Sequence, residues 1–265
     1  RNFLYDDFYL ADKEGTLPYY RKFINATSLD NPYLSEAYIE NLKRTLSAAE
    51  VNRLLYGNWE SQDDPNGLVN SDDILEMYDH SINMNDDDTM YLSVDVAFKG
   101  DSCVLMVWRG LDIIDIVKVG RNEIVLDKIK DTAREYSIQT RNISYDSDGV
   151  GQYLKQYLRS AKAIINNGKV LKGENYTNLK TQLYYKLGEL IRDGKIKIKT
   201  NNFKKEIEAE LLCVKRKVRG TTASKMEINS KAEQKQLIGR SPDYSDTMAY
   251  RMIFEYTKGN FIKAI

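Results

Sequence analysis

"TMYLSVDVAFKGDSCVLMVWRGLDIIDIVKVG" occupies residues 89–120. Three runs in it have strand chemistry, apolar and rich in β-branched residues: 89–98, 101–110 and 111–120. The links between them are tight, which favours antiparallel pairing over crossover connections. The first run carries Asp95 at its centre, and Asp101 follows six residues later. A buried carboxylate without a partner costs several kcal/mol or shifts its pKa. A strand this apolar therefore keeps Asp95 only if something compensates it, such as a cap, a cation or a metal ion.

Working outward, the rest of the chain alternates helix and strand patterns. Residues 122–138 read as an amphipathic helix, with Val125, Ile129 and Ala133 on one side. Residues 141–158 read as strand, glycine turn and helix, and 161–167 as a short strand. A long helix ends at Gly194, followed by the strand "KIKIKT" and the helix "FKKEIEAELL". "CVKRKVRG" and "KMEIN" pattern as a basic hairpin, and Pro242 is expected near position N1 of a final helix. Three antiparallel strands followed by this order predict an α/β fold: an RNase H-like mixed sheet flanked by helices.

Upstream, residues 1–32 are aromatic and irregular. Two helical stretches follow. Ser35 is the expected N-cap of the first; Ser47 with Glu50 forms a capping box for the second, which stops at Gly57. The polar "SQDDPNGLVN" marks a boundary. This divides the chain into a small helical segment at 1–61, a linker at 62–82 and the α/β domain at 83–265. The opening "RNFLYDDFYL" has no initiator Met and no signal-peptide pattern, and reads as the start of a fragment of a longer protein.

Composition narrows the chemistry. Two cysteines without CxxC spacing fit a reducing, cytoplasmic setting. The single histidine, His80, rules out a poly-histidine metal site and has no assigned role. No apolar run approaches the ~20 residues of a membrane span, so no membrane partner is expected. Any metal would be held by oxygen ligands, which suits Mg²⁺ or Mn²⁺. Net charge is zero but unevenly spread: residues 59–101 hold twelve acids and one lysine, residues 195–240 thirteen cations and five acids. A basic arm beside an acidic centre suits a polyanion held against metal-binding carboxylates. Two solvated faces of opposite sign are the plainer explanation.

Three acidic sites stand out: Asp95 with Asp101; Asp146 with Asp148 in "YDSDGVG", at the end of the fourth strand; and Asp243 with Asp246 in "SPDYSD", at the start of the last helix. Singly, the acids at 146, 148, 243 and 246 are accountable as caps, turns or first-turn acids, whereas Asp95 sits mid-strand, where Asp is disfavoured. Together they suit phosphodiester hydrolysis by two metal ions about 4 Å apart, which requires hard carboxylate ligands held on rigid elements. The triplet at 86–88 reads instead as a solvated loop. Lys215, Arg216, Lys217 and Arg219 in the basic segment are placed to track phosphate without reading sequence.

"SVDVAFKGD", "YDSDGVG" and "GRSPDYSDTMAY", in this order, resemble the nuclease domain of the tailed-phage terminase large subunit, with "SPDYSD" the most specific of them. The helix "NLKTQLYYKLGELIRDGKIKI" adds to the likeness, and residues 27–60 resemble the end of the terminase ATPase domain. The resemblance spans about 26–256. It implies a metal-dependent endonuclease that cuts concatemeric double-stranded DNA during packaging. Asp95 and Asp146 match the first two family carboxylates, and the third is Asp243 or Asp246. Asp101 matches an accessory acid of some members. Lys231 and Lys235 lie where the family has basic residues before the last helix. Thr247 stands where a small Ala is common. The implied partners are DNA and, for the full-length protein, the portal and the small terminase subunit. The implied location is the cytoplasm of an infected bacterium rather than the mature virion. No G-x-x-x-x-G-K-[ST] phosphate loop is present, so no ATP hydrolysis is expected from these residues. The alternatives are a resolvase- or transposase-type nuclease of the same fold, an actin-like nucleotide switch, which the missing second phosphate hairpin opposes, and a non-catalytic DNA-binding module.

Overall fold

The structure, a computed structural model, describes residues 4–45, 55–57, 59, 64, 66–79, 87–96, 103–120, 123–217 and 224–257. His80, Asp86, Asp101, Arg219 and the capping box at Ser47 and Glu50 lie outside the described residues. The chain forms two compact units that divide between Pro65 and Asn66.

The first unit has an aromatic centre. The Tyr9 ring stacks on Trp59 at 6.0 Å, and Phe23 meets both edge-on. Trp59 Nε1 donates to Asn25 Oδ1 at 3.3 Å. Residues 5–13, which pattern as irregular, are helical. Helix α1 (Glu36–Thr45) starts where expected: Ser35 Oγ accepts from the Tyr38 backbone N–H at 3.3 Å.

The second unit is a six-stranded mixed sheet in the order β5-β4-β1-β2-β3-β6. Its strands are β1 (Met90–Asp95), β2 (Cys103–Arg109), β3 (Asp112–Val119), β4 (Ile143–Asp146), β5 (Lys162–Ile164) and β6 (Lys197–Ile198). β1, β2 and β3 are antiparallel in succession; β4 lies parallel to β1, β5 to β4, and β6 to β3. This is the RNase H-like arrangement expected of the sequence.

The sheet is covered on both faces because its strands alternate between two apolar sets. Leu92, Val94, Cys103, Leu105 and Val107 face one core with α3 (Val125–Glu135). Tyr91, Val104, Met106 and Trp108 face the other. There they meet α2 (Ser71–Glu76), α4 (Leu179–Arg192), α5 (Lys204–Cys213), α7 (Asp243–Arg251) and α8 (Ile253–Thr257). Residues 66–79 belong to this unit: Ile74 and Met77 are buried in its core, and Lys197 Nζ donates to the Glu76 carbonyl at 3.0 Å.

Three local readings change. The segment after β4 is a 3₁₀ run, Gly149–Gln156, rather than an α-helix. Gly149 enters it at φ +58°, and a Cβ on Gly151 would stand 1.8 Å from the Asp146 carbonyl oxygen, so the run is pressed against the strand end. The Lys/Ile alternation at 195–200 yields only a two-residue strand. Helix α6 (Lys231–Ile238) is an addition, and its signal was present: Ser230 and Glu233 form a reciprocal capping box.

Arg251 closes the end of α7. It is fully buried, with Nη2 donating to the Gly110 carbonyl at 2.6 Å and Nη1 to Glu255 at 2.8 Å, its guanidinium 3.8 Å above the Tyr91 ring. No helix among the described residues is long and apolar enough to cross a membrane.

Candidate active site

The period of β1 answers why it carries an acid. Tyr91, Ser93 and Asp95 point to the face that α7 covers. Ser93 Oγ accepts from Trp108 Nε1 at 2.9 Å, so that face already tolerates polarity when it is paired. Asp95 ends the strand and is 3% exposed. β4 runs parallel to β1 with Val94 opposite Tyr145, which makes Asp95 and Asp146 successive ends of neighbouring strands. Strand spacing of about 4.8 Å sets their backbones side by side.

Helix α7 brings the remaining acids. Asp243 and Asp246, three residues apart, share one face of its first turn, and both are buried. Pro242 is the N-cap itself, one position earlier than expected, and offers no side-chain cap. The cap comes from another helix: Glu210 of α5 accepts the Ser245 backbone N–H at 2.7 Å and pairs with Arg240. Burial pushes the Glu210 carboxyl up to about 7, against the pull of those partners.

Asp246 is the most tightly held of the four. Its Oδ1 receives Lys180 Nζ and the Tyr184 hydroxyl, both at 2.6 Å. Its Oδ2 makes no hydrogen bond and faces Lys231 Nζ at 3.6 Å. Burial works against its ionisation, but the two lysines outweigh it, so its carboxyl lies below the usual range. Asp146 is fixed by the Asp148 backbone N–H at 2.8 Å, the Tyr250 hydroxyl at 3.2 Å and Asn166 Nδ2 at 3.3 Å. Burial still raises its pKa. Asp148 in turn accepts the Asn166 N–H at 2.9 Å.

Asp95 is the strained member. Burial drives its carboxyl well above the ordinary value, and repulsion from Asp246 adds to this, ahead of Asp243 and Asp146; only Lys231 opposes it. Burial disfavours the Lys231 ammonium, but attraction to all four carboxylates keeps it charged. Tyr250 and Tyr184 are held as neutral hydroxyls by burial and by the same acids.

The cluster thus gathers Asp95, Asp146, Asp243 and Asp246 around two ammonium groups. Among the described residues no three carboxylates close on one point as a finished metal cage. The donor set nonetheless fits a divalent cation: hard oxygens, two carboxyls that burial pushes towards protonation, and an Asp246 oxygen left outside any hydrogen bond.

The other expected residues are dispersed. Residues 215–217 and 226–228 form a short irregular ribbon, with Arg216 bridged to Ile228 and the Lys217 N–H donated to Glu227. Arg216 and Lys235 are exposed; Lys217 is ion-paired with Glu233 at 3.2 Å and Glu227 at 3.9 Å. Lys231 joins the acids instead of this ribbon. Sequence reasoning missed Lys180, Tyr184, Asn166, Tyr250 and Glu210. The first two sit one turn apart in "KTQLY", a spacing visible in the sequence, but nothing local says which acid they meet.

No protein-family model and no curated protein sequence matches this chain. Solved structures do. The nuclease domain of the large terminase subunit gp2 of bacterial virus Sf6 superposes with a TM-score of 0.60 at 17% identity, covering 70% of this chain and 98% of that one. A mutant of that domain with calcium gives the same values. The mutant with manganese gives a TM-score of 0.60 at 16% identity over the same shares. The second unit has the RNase H-like fold of these nuclease domains.

Proposed function

We propose that this chain is a metal-dependent DNA endonuclease of a phage DNA-packaging motor, hydrolysing phosphodiester bonds in concatemeric double-stranded DNA with two Mg²⁺ or Mn²⁺ ions. The observation that carries this reading is the placement of Asp95 and Asp146 on adjacent strand ends beneath Asp246. Asp95, Asp146 and Asp246 would hold the metal. Asp246 is preferred to Asp243 as the third ligand because it acts most strongly on Asp95 and is also among the charges acting on Asp146. Bound there, a divalent cation supplies Lewis-acid polarisation of the phosphoryl group and of the attacking water.

The chain's own groups do the positioning. Lys180 and Tyr184 fix one oxygen of Asp246 and leave the other towards the site. Asn166 and Tyr250 orient Asp146. Lys231, beside Asp95 and Asp246, is placed to offset negative charge on a bound phosphate. Asp101, outside the described residues, is proposed as an accessory acid. Lys215, Arg216, Lys217, Arg219 and Lys235 are proposed to contact the DNA backbone. The first unit is taken as the end of an ATPase domain that hydrolyses no ATP by itself. The full-length protein is proposed to meet the portal and the small terminase subunit in the infected cell.

The test is cleavage of supercoiled plasmid with Mn²⁺, Mg²⁺ or EDTA, beside Asp95→Asn, Asp243→Asn and Asp246→Asn. Metal-dependent cutting lost in Asp95→Asn and Asp246→Asn supports the reading. No cutting by a folded wild-type protein with either metal overturns it.

A further inference from the structure

The 3₁₀ run after β4 turns an unusual surface to solvent. From Gly149 to Gly173 the chain has five cations, Lys155, Arg159, Lys162, Lys169 and Lys172, and no acid. Leu154 and Leu158 anchor the run in the core, while Gln152, Tyr153, Lys155, Gln156, Tyr157 and Arg159 are exposed. Tyr153 and Tyr157 are 38% and 53% exposed, although they are large rings that would normally be covered. Gly149, Gln152, Tyr153, Lys155 and Gln156 line an open groove of about 610 Å³. Helix α3 adds Lys130, whose ammonium lies 5.6 Å from the Tyr157 ring.

Lys155 and Arg159 are both exposed, and neither is ion-paired to a carboxylate among the described residues. The run also starts three residues after Asp146, and Gly151 packs against the Asp146 backbone carbonyl, which ties this surface to the end of β4.

We infer that the groove at 149–156 and the exposed flank that continues to Arg159 form a second DNA-contact surface, in which Lys155 and Arg159 take backbone phosphates and Gln152, Gln156 and the two tyrosines lie along the strand's path towards Asp146. This rests on the nuclease reading and extends it, since the basic segment at 215–219 is the track expected from the sequence. Exposed amide, phenol and cationic groups match a phosphodiester backbone, which offers acceptors and negative charge.

The test is fluorescence anisotropy of a short fluorescein-labelled duplex in EDTA, as a function of salt, with Lys155→Glu/Arg159→Glu. Lys118→Glu/Lys205→Glu, exposed positions on β3 and α5, makes the same change in net charge. Each phosphate contact contributes roughly tenfold in affinity near 0.1 M salt and about 0.9 to the log–log slope. Binding is therefore expected to weaken by more than about tenfold and its slope to flatten by about 2, with the control little changed. Lys155→Gln/Arg159→Gln, which removes charge without reversing it, should show a smaller loss of the same sign. Unchanged affinity and slope, or a loss no larger than the control's, overturns the inference. If Lys215→Ala/Arg216→Ala abolishes binding while Lys155→Glu/Arg159→Glu leaves it unchanged, the groove is not on the DNA path and the nuclease reading stands. A folded wild-type protein that binds no duplex sinks both.

Discussion

Removing the Lys180 ammonium tests whether Asp246 is ionised by its partners or in spite of its burial. Asp246 is fully buried, and the Lys180 side chain is only 14% exposed. Deleting one member of such a pair leaves an uncompensated buried charge, at a cost of about 3–5 kcal/mol. Lys231 is farther away at 3.6 Å and its side chain is 44% exposed, so solvent screens its share of the attraction more than that of Lys180. Lys180→Met should therefore destabilise far more than Lys231→Ala. The sign with pH follows. In the wild type the folded pKa of Asp246 is depressed, so its contribution is present above the unfolded value near 3.9 and lost as pH falls through the folded value. In Lys180→Met burial dominates, the folded pKa rises, and the deficit grows as pH rises from about 4. Urea unfolding at pH 4 and pH 8 of Lys180→Met, Asp246→Asn and the double variant reads this directly. A coupling below about 0.5 kcal/mol, or a deficit that does not change with pH, would refute the reasoning.

Other expectations follow from the same geometry. Asp95→Asn should abolish cleavage while raising the melting temperature above pH 5, because folding opposes ionisation of Asp95; a lower melting temperature would contradict the burial argument. Mn²⁺ or Mg²⁺ should raise the wild-type melting temperature but not that of Asp95→Asn/Asp246→Asn, read by differential scanning fluorimetry. Gly151→Ala forces a Cβ into the Asp146 carbonyl and should cost more than Gly149→Ala, where only the positive φ is strained, at about 1–2 kcal/mol. Glu210→Gln should gain on the wild type between pH 5 and pH 8 by up to about 3 kcal/mol, since a carboxyl raised to about 7 is progressively penalised as it ionises; a gain in the opposite direction in chemical denaturation would count against the burial of Glu210.

Much of this was legible where the signal is local. Apolar, β-branched runs gave β1 to β3, the tight links between them gave their antiparallel order, and "SPDYSD" gave the start of α7. The misreadings have local causes too. Residues 149–158 carry a helix-like pattern, yet the close approach of Gly151 to Asp146 tightens the run into 3₁₀ geometry. Lys197 reads as a solvent-facing strand residue, but its ammonium reaches the Glu76 carbonyl and the residue is buried. The partners of the acids were illegible for a different reason. Lys180 and Tyr184 stand more than sixty residues from Asp246, and Tyr250 a hundred and four from Asp146. Only the topology decides which acid each will meet.

The two end fixings of α7 have a mechanical corollary. Glu210 grips the helix at Ser245, and Arg251 ties its other end to Gly110, in the turn that joins β2 to β3. That turn lies at the far end of β2 from Asp95, roughly 20 Å away by strand rise. A rod clamped at both ends transmits displacement instead of absorbing it. A lesion at Gly110, remote from the four clustered acids, would accordingly be felt at Asp243 and Asp246 as a change in their alignment.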